Sequence, residues 1–463
     1  MILVVNMIPN NRSGETNQDS EPNIAVNPAN PLQIVGTAFT PDPMGGPNAP
    51  IYVSSDGGQT WLLNSIVPSS AGSGSGTFDI TPRFSSTTNN LYVGILRDPS
   101  ANLQVLRTSN FLSPTTMTIL VDRPNEDQPF VQAATVTTGT GIGKDRIYIG
   151  HNDFNAVPST ATIEQALDGA TAPAAPPPPP SGFTSDRLET RVTSPQDGPQ
   201  IRPAIHPDGT IYGVFYGWRT FDGSIATADV IVVREDSWGT SAIPFNALID
   251  PGDGQRGRRV AQNRALPFTA STAGLGQERI GGDLSIAVDP RDSSTVYLAW
   301  ADQVAANDYT LHINRSTDRG VTWSPDLRTI TNAKNPALAI NSQGTVGFLH
   351  QQLTGAAPNQ RWETHLERTS NAFAAITDLL LATVPADVPA RVFFPYLGDY
   401  DHLMAVGNDF YGVFSANNTP DMANFPQGVM YQRNANFATH TLLDMDNVTP
   451  VAVSIDPFFF KVT

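Results

Sequence analysis

The stretch Arg391-Val392-Phe393-Phe394-Pro395-Tyr396-Leu397-Gly398-Asp399-Tyr400-Asp401-His402 concentrates titratable and aromatic side chains. Paired carboxylates such as Asp399 and Asp401 can act as general acid and base, or one of them as nucleophile. Other acids stand at comparable places, each at the start of a short apolar run: Asp19 or Glu21, Asp79, Asp127, Asp197 and Asp283. Asn335 takes the seventh such place. Gathered together, these carboxylates could instead hold a hard cation such as calcium, with Asp19, Asp127 and Asp197 as the weaker candidates; no cofactor is required. A structural use is open as well, because Asp or Asn at a strand start accepts backbone N–H bonds of the adjoining turn. Repetition in every unit suits that use, since a catalytic site needs only two or three specialised acids. Arg83, Arg202 and Arg279 sit at or beside the starts of equivalent runs.

The elements that would position these residues repeat along the chain. A polar or acidic residue, a short apolar strand, a turn and a second apolar strand occur seven times. The first unit runs from Asp19 to Phe39 and the second from Phe78 to Ile95. The others run from Asp127 to Gly150, Asp197 to Phe215, Asp283 to Trp300, Asn335 to Leu349 and Asp399 to Phe414. A third strand follows each pair, and a fourth follows that, as in Met117-Thr118-Ile119-Leu120-Val121. Four antiparallel strands per unit, repeated every few tens of residues, predict an all-β chain forming one β-propeller domain over 1–463. Seven blades fit best, with six or eight as alternatives; a pair of β-sandwiches is the competing all-β reading. The starts of the first strands would converge on one mouth of a central channel. The unassigned strand-like ends, Met1–Ile8 and Val451–Phe460, would pair to close the ring and remove exposed edges.

Three segments interrupt the period. Residues 168–182 carry the run Pro176 to Pro180 and read as a protruding loop. Residues 250–280, rich in Gly and Arg, and residues 382–396 read as insertions between blades, on the face of the first-strand starts.

One motif is repeated almost letter for letter. Ser54-Ser55-Asp56-Gly57-Gly58-Gln59-Thr60-Trp61 and Ser316-Thr317-Asp318-Arg319-Gly320-Val321-Thr322-Trp323 both read S-x-D-x-G-x-T-W after an alternating strand. The Gly permits a turn that a Cβ would block, and the Asp, Ser and Thr oxygens can satisfy local N–H groups. The Trp packs under the loop. Eroded copies follow other third strands, at Thr108-Ser109-Asn110, Glu235-Asp236-Ser237-Trp238-Gly239, Thr369-Ser370-Asn371 and Arg433-Asn434-Ala435-Asn436.

The motif resembles the Asp-box (BNR repeat) of sialidase-type β-propellers, and Gly398-Asp399-Tyr400 resembles a stretch of bacterial proteins in that superfamily. The resemblance implies a glycoside hydrolase, exo-sialidase-like, with its site at the channel mouth and its boxes as structural staples elsewhere. It implies a tyrosine nucleophile, Tyr400, paired with Glu278 or Glu21, an acid/base aspartate among Asp399, Asp401 and Asp283, and arginines that hold the substrate carboxylate bidentately. Arg83, Arg202, Arg279 and Arg391 are the candidates for that task. The family's first arginine lies in Arg-Ile-Pro; here only Arg12 precedes Ser54. The alternative is a non-catalytic propeller that binds a glycan or a protein surface.

Composition narrows the classes. The net charge of −16 with no basic stripe argues against nucleic-acid binding. The absence of cysteine excludes disulfides and thiolate chemistry. Met1–Ile8 is too short for a membrane span and lacks a basic leader, so it reads as a strand; a removed export signal would favour an extracellular or cell-surface location, and otherwise a cytoplasmic one. His151, His206, His350 and His402 show no metal-ligand spacing and read as structural.

Overall fold

The computed structural model describes residues 1–41, 44–68, 76–97, 102–157, 160–172, 174, 182–194, 201–268, 284–305, 308–390 and 396–463. Among these residues the chain is all-β, with only short 3-10 turns and no α-helix. No helix is long and apolar enough to cross a membrane.

Eight sheets are present among the described residues. Six have four strands in sequence order, each strand antiparallel to its neighbours. Sheet I comprises Ser20–Val26, Ile34–Phe39, Asn48–Ser54 and Leu62–Pro68. Sheet II comprises Ile80–Phe84, Leu91–Arg97, Asn102–Thr108 and Thr118–Arg123. Sheet III comprises Glu126–Thr135, Asp145–Asp153, Thr160–Ala166 and Phe183–Arg187. Sheet IV comprises Arg202–Ile205, Ile211–Phe221, Ile225–Glu235 and Arg258–Pro267. Sheet V comprises Leu284–Asp289, Asp292–Ala305, Asp308–Ser316 and Arg328–Thr331. Sheet VI comprises Ala333–Ile340, Val346–Thr354, Arg361–Thr369 and Thr377–Pro385.

Sheet VII joins the two ends of the chain. Its order is His402–Val406, Asp409–Asn417, Ile455–Val462, Ile2–Asn6 and Met430–Tyr431. Val4 and Val5 pair with Phe460 and Phe459 across an antiparallel ladder. The eighth sheet is small: Ala435–Asn436, Thr441–Leu443 and Pro450–Val451. It lies within the excursion between Met430–Tyr431 and Ile455–Val462. The third strand of sheet VII is therefore Ile455–Val462, not the segment before Arg433-Asn434 that the repeat suggested. Arg433 is instead buried against Asp456.

The first strand of each sheet touches the first strand of the next, from sheet I through sheet VII, and that of sheet VII touches that of sheet I. Apolar clusters fill the space between neighbouring sheets. One joins Ala25, Val35 and Ile51 of sheet I to Ile80, Leu91 and Val93 of sheet II. Another joins Val5, Val413 and Phe459 of sheet VII to Ile24, Val26 and Tyr52 of sheet I. Second strands are packed on both faces, which is why Ile211-Tyr212-Gly213-Val214-Phe215-Tyr216 is wholly buried. Gly150 shows how tight this packing is, since a Cβ there would sit 2.1 Å from the Ile201 carbonyl oxygen. Residues 258–267, expected to belong to an insertion between sheets, form the outer strand of sheet IV. They pair with residues 225–232 because Val260, Ala261 and Leu266 add to the core between sheets IV and V. Residues 382–385 likewise finish the outer strand of sheet VI. The Pro176 to Pro180 run lies outside the described residues.

Candidate functional site

Three first strands share one irregularity. Glu21, Gln128 and Asn335 have φ of 53°, 51° and 54°, and each precedes a proline. The pairing register slips at the same points, between Ser20 and Asn23, Asp127 and Phe130, and Lys334 and Ala337. Left-handed φ at non-glycine residues stores strain, of order 1–3 kcal/mol each, that the surrounding packing must overcome. Such bulges bend the strand and re-aim its side chains. Here they lie at the leading ends of the first strands.

Those ends surround a cavity of about 130 Å³ lined from six sheets. Arg83 comes from sheet II, Phe130 and Gln132 from sheet III, Arg202 from sheet IV and Ser285 from sheet V. Pro336 comes from sheet VI, and Tyr400, Asp401 and His402 come from the approach to sheet VII. The Arg202 guanidinium carbon lies 4.4 Å from the Phe130 ring centroid and 5.2 Å from that of Tyr400. Arg83 lies 5.3 Å from the same Phe130 ring.

Arg83 is held by the protein on every side. Its Nη1 donates to Asn23 Oδ1 at 3.0 Å, the Ile24 carbonyl at 3.1 Å and the Pro82 carbonyl at 2.6 Å. Its Nε donates to Gln132 Oε1 at 3.2 Å, and its Nη2 meets His402 Nε2 at 2.5 Å. Burial, then the nearby Arg202 charge, pushes Arg83 down to about 9. Burial and both arginines hold His402 well below its ordinary value. A neutral His402 can accept from Arg83, so the contact is consistent.

Tyr400 is 6 % exposed. Its hydroxyl donates to Asp79 Oδ1 at 3.3 Å. Burial, then the charges of Asp79 and Glu21, raise its pKa well above that of an ordinary phenol, although Arg202 opposes the shift. The phenol therefore keeps its proton at neutral pH unless a base takes it as the reaction proceeds. The turn carrying Tyr400 is fixed from below. The Asp399 N–H donates to Glu21 Oε1 at 3.1 Å, and the buried Lys334 ammonium donates to the Gly398 carbonyl at 2.7 Å. Gly398 has φ of 89°, and a Cβ there would lie 2.5 Å from the Glu21 nitrogen. Only glycine fits that close approach.

The expected ring of acids is only partly assembled. Asp79 and Glu21 reach the Tyr400 turn. Asp401 lines the cavity but accepts from the Ser415 N–H at 3.3 Å, a structural bond. Asp127 stands at the bulge of sheet III opposite Asn152. Asp19 turns away from the channel into a separate cluster with Glu15 and Asp456. Asn335 donates to Gln351 Oε1 at 3.1 Å, inside sheet VI. Asp197, Glu278, Arg279, Asp283 and Arg391 lie outside the described residues. The Tyr400 hydroxyl thus meets Asp79, whereas Glu21 supports the neighbouring Asp399 amide. Asn23, Phe130, Gln132 and Lys334 are site residues the sequence pattern did not single out. The recurring X-Pro pair before the first strands marks where three of these four stand.

The two box loops are far from this mouth along the strands. They pack on the turns that follow the first strands: Gly57 N–H donates to the Leu32 carbonyl, and Arg319 N–H to the Ser294 carbonyl. In each loop the serine hydroxyl donates to the Asp Oδ1, at 2.9 Å for Ser54 and 2.8 Å for Ser316. The Thr60 and Thr322 hydroxyls donate to Oδ2, both at 2.6 Å. Trp61 and Trp323 donate to the Gly58 and Gly320 carbonyls at 3.0 and 3.1 Å. The eroded copy at Thr369 keeps this pattern, with Phe373 N–H bonding to Thr369 Oγ1 and Ala375 N–H to Asn371 Oδ1. In the copy at Glu235 the carboxylate alone gathers Ser237, Ser241 and Phe245.

The fold and site thus define an all-β, propeller-like chain with a cavity of mixed polar and apolar lining at the leading ends of its first strands. No protein-family model and no curated protein matches the sequence. Solved structures resemble the fold at low identity. A protein of unknown function from Dyadobacter fermentans is 11 % identical, with a TM-score of 0.47 over 100 % of this chain and 98 % of its own. An α-L-arabinanase of Penicillium chrysogenum complexed with arabinobiose is 11 % identical, with a TM-score of 0.43 over 98 % and 97 %. The NanB sialidase of Streptococcus pneumoniae is 8 % identical, with a TM-score of 0.39 over 88 % and 66 %.

Proposed function

We propose that the chain is a single seven-bladed β-propeller, closed by its terminal strands, that hydrolyses a glycosidic bond of an anionic sugar at the channel mouth. Closure is supported by the succession of first-strand contacts that returns from sheet VII to sheet I, and by the shared core there. The eighth, short-stranded sheet is then an excursion of the seventh blade. The observation that carries the activity is the convergence of Asp79, Tyr400, Arg202 and His402 from three sheets on one site.

In the step we propose, the Tyr400 oxygen attacks the anomeric carbon while its proton passes to Asp79. The bond to the leaving group breaks, and Asp399 protonates the departing oxygen. Water then cleaves the tyrosyl–sugar bond, with Asp399 as base, and Asp79 returns the proton to Tyr400. Arg202, flanked by two aromatic faces, suits a carboxylate on the sugar. A cavity of about 130 Å³ admits such a substituent rather than a whole sugar ring, which would rest in the mouth above. Aryl glycosides, including a sialic acid analogue, test this reading. Turnover should be lost in Asp79→Asn, Tyr400→Phe and Asp399→Asn proteins that keep the native circular dichroism spectrum. No turnover on any sugar, or turnover unchanged in all three variants, would sink it.

A second reading has one observation of its own. Arg83 already meets five protein acceptors, and the Tyr400 phenol is held protonated, as in a scaffold built to bind without reacting. A non-catalytic glycan- or protein-binding mouth predicts retained glycan affinity in Tyr400→Phe and no product from the unmodified protein.

A further inference from the structure

Away from the channel, Glu15, Asp19 and Asp456 bring carboxylate oxygens within 4.8 Å of one another. Glu15 belongs to the segment linking Ile2–Asn6 to Ser20–Val26, and Asp456 to the strand that pairs with Ile2–Asn6. The cluster therefore sits where both chain ends meet sheet I. Its charges do not balance. Among the described residues its one cation is Arg433, which is fully buried and donates to Asp456 Oδ2 at 3.0 Å. Its other terminal nitrogen is taken by the Ser13 and Glu15 carbonyls, both at 2.6 Å. Asp456 is saturated, receiving Asn6 at 2.7 Å, Asn418 at 2.7 Å and Ser454 at 3.1 Å.

Asp19 is different. It is 1 % exposed, and its Oδ1 has no hydrogen-bond partner among the described residues. The hydroxyls of Tyr52, at 3.4 Å from Oδ2, and of Thr40 are the polar groups that face it. On Glu15, Oε1 accepts from the Asn17 N–H, while the buried Oε2 has no partner among the described residues. A cavity of about 300 Å³, lined by Asn11, Gly14, Glu15, Asn17 and Met445 among others, opens beside Glu15.

We propose that Glu15 and Asp19, with the saturated Asp456 adding its charge beside them, bind a calcium ion that ties the two ends of the chain into the ring. An ion with oxygen ligands at about 2.4 Å spans ligand separations of up to about 4.8 Å. Three carboxylates against one guanidinium leave a net charge of about −2, which a divalent cation neutralises. The donors are oxygens only, with neither imidazole nor thiolate, and so favour a hard cation over zinc or copper. Several oxygens on separate chain segments suit the flexible coordination of calcium better than the strict octahedron of magnesium.

Without the ion, burial favours the protonated forms of Glu15 and Asp19. Burial, then the neighbouring acids, pushes Glu15 up to about 10; burial and Asp456 push Asp19 up to about 8. Both folded values lie above the ordinary ones, so this contribution to stability is present at acid pH and fades as pH rises toward 8 and beyond. Calcium should displace those protons and restore the loss.

The test uses the full chain after chelation. Calcium should raise its melting temperature, more at pH 8 than at pH 5, and magnesium should do so less. Calorimetry in two buffers of different ionisation enthalpy should detect proton release. Terbium excited through tyrosine should luminesce, because Tyr52 adjoins Asp19, and calcium should quench the signal by competition. Asp19→Asn should weaken binding by at least about tenfold; Glu15→Gln, at a less buried position, should do the same should Asp19→Asn fail to fold. Tyr52→Phe should lose luminescence while keeping the calcium shift. A melting temperature indifferent to calcium and chelator at every pH, or terbium luminescence that survives both carboxylate substitutions, overturns the proposal.

Discussion

The two ends of the sheets handle carboxylates in opposite ways. At the box end, every polar atom of Asp56 finds its partner within five residues: Ser54, Gln59 and Thr60 supply four donors. Partial burial works against the charge, but those hydrogen bonds outweigh it and hold Asp56 below the ordinary carboxylate range. At the channel end, groups meet from residues hundreds of positions apart, as Tyr400 meets Asp79 and Asp399 meets Glu21. There burial dominates: it raises Tyr400 and lowers Arg83 and His402, so each is pushed toward its neutral form. A loop that satisfies its own charge is finished chemically. A mouth whose buried groups are pushed toward their neutral forms is poised to respond to a ligand that brings charge.

The sharpest break between the two ends would come from substitution at the mouth. Asp79→Asn and Tyr400→Phe should each lower turnover by about 10²–10⁴, the range for a lost proton-transfer partner or nucleophile, with little change in melting temperature. The double variant should be no worse than the poorer single one, because the two groups act as a unit. Additive losses would mean that they act separately.

The box end should respond in stability and not in turnover. Trp61 is buried and meets Phe459 edge-on at 5.3 Å, so Trp61→Ala should cost about 3–5 kcal/mol in urea unfolding. Trp323 is only half-buried, and Trp323→Ala should cost clearly less. Asp56→Ala should cost about 1–2 kcal/mol, since the freed N–H groups of Gln59 and Thr60 are exposed and water replaces the lost acceptor. Any of these changes that lowered turnover without lowering stability would erase the division between the ends.

The same contrast explains what could be seen in the sequence. The box is local, so its chemistry is written in eight consecutive letters, and the strand repeat around it exposed seven first-strand and second-strand pairs. The closing strand of sheet VII was visible only as two apolar pieces at the chain ends. That the C-terminal piece is the third strand was not, because the excursion through Met430 and Ala435 imitates a third strand and its hairpin. The site was half visible. Asp79, Glu21, Tyr400, Arg83 and Arg202 follow from the register, but their pairing depends on bulges at Glu21, Gln128 and Asn335 that no period predicts. Asp19 shows the limit most clearly. One turn before the bulge it faces Glu15 and Asp456 rather than the channel, and a two-residue change of position exchanges one environment for another.

The finest discrimination is by pH, and it uses a third kind of cluster. His312 lies between Asp302 Oδ1 at 3.0 Å and Asp326 Oδ2 at 2.9 Å, stacked on Trp300 with ring centroids 4.1 Å apart. Burial alone would lower its pKa, but the two aspartates outweigh burial and push it up to about 9. Arg264 reaches Asp302 from sheet IV at 3.5 Å, so both signs of charge face the imidazole. The folded value exceeds the ordinary 6.5, so this contribution is complete below about pH 6.5 and is lost as pH rises through about 9. Asp56 and Asp318 have lowered values, so theirs is present above about pH 4 and is lost on further acidification. Melting temperature against pH should therefore fall at both extremes, with different residues responsible. His312→Asn should reduce the alkaline limb to the part that belongs to Glu15 and Asp19, and leave the acid limb unchanged; Asp318→Asn should reduce the acid limb alone, and by less, because its carboxylate is largely exposed to screening. An alkaline limb unchanged in His312→Asn would assign the loss to other groups and remove this cluster from the comparison.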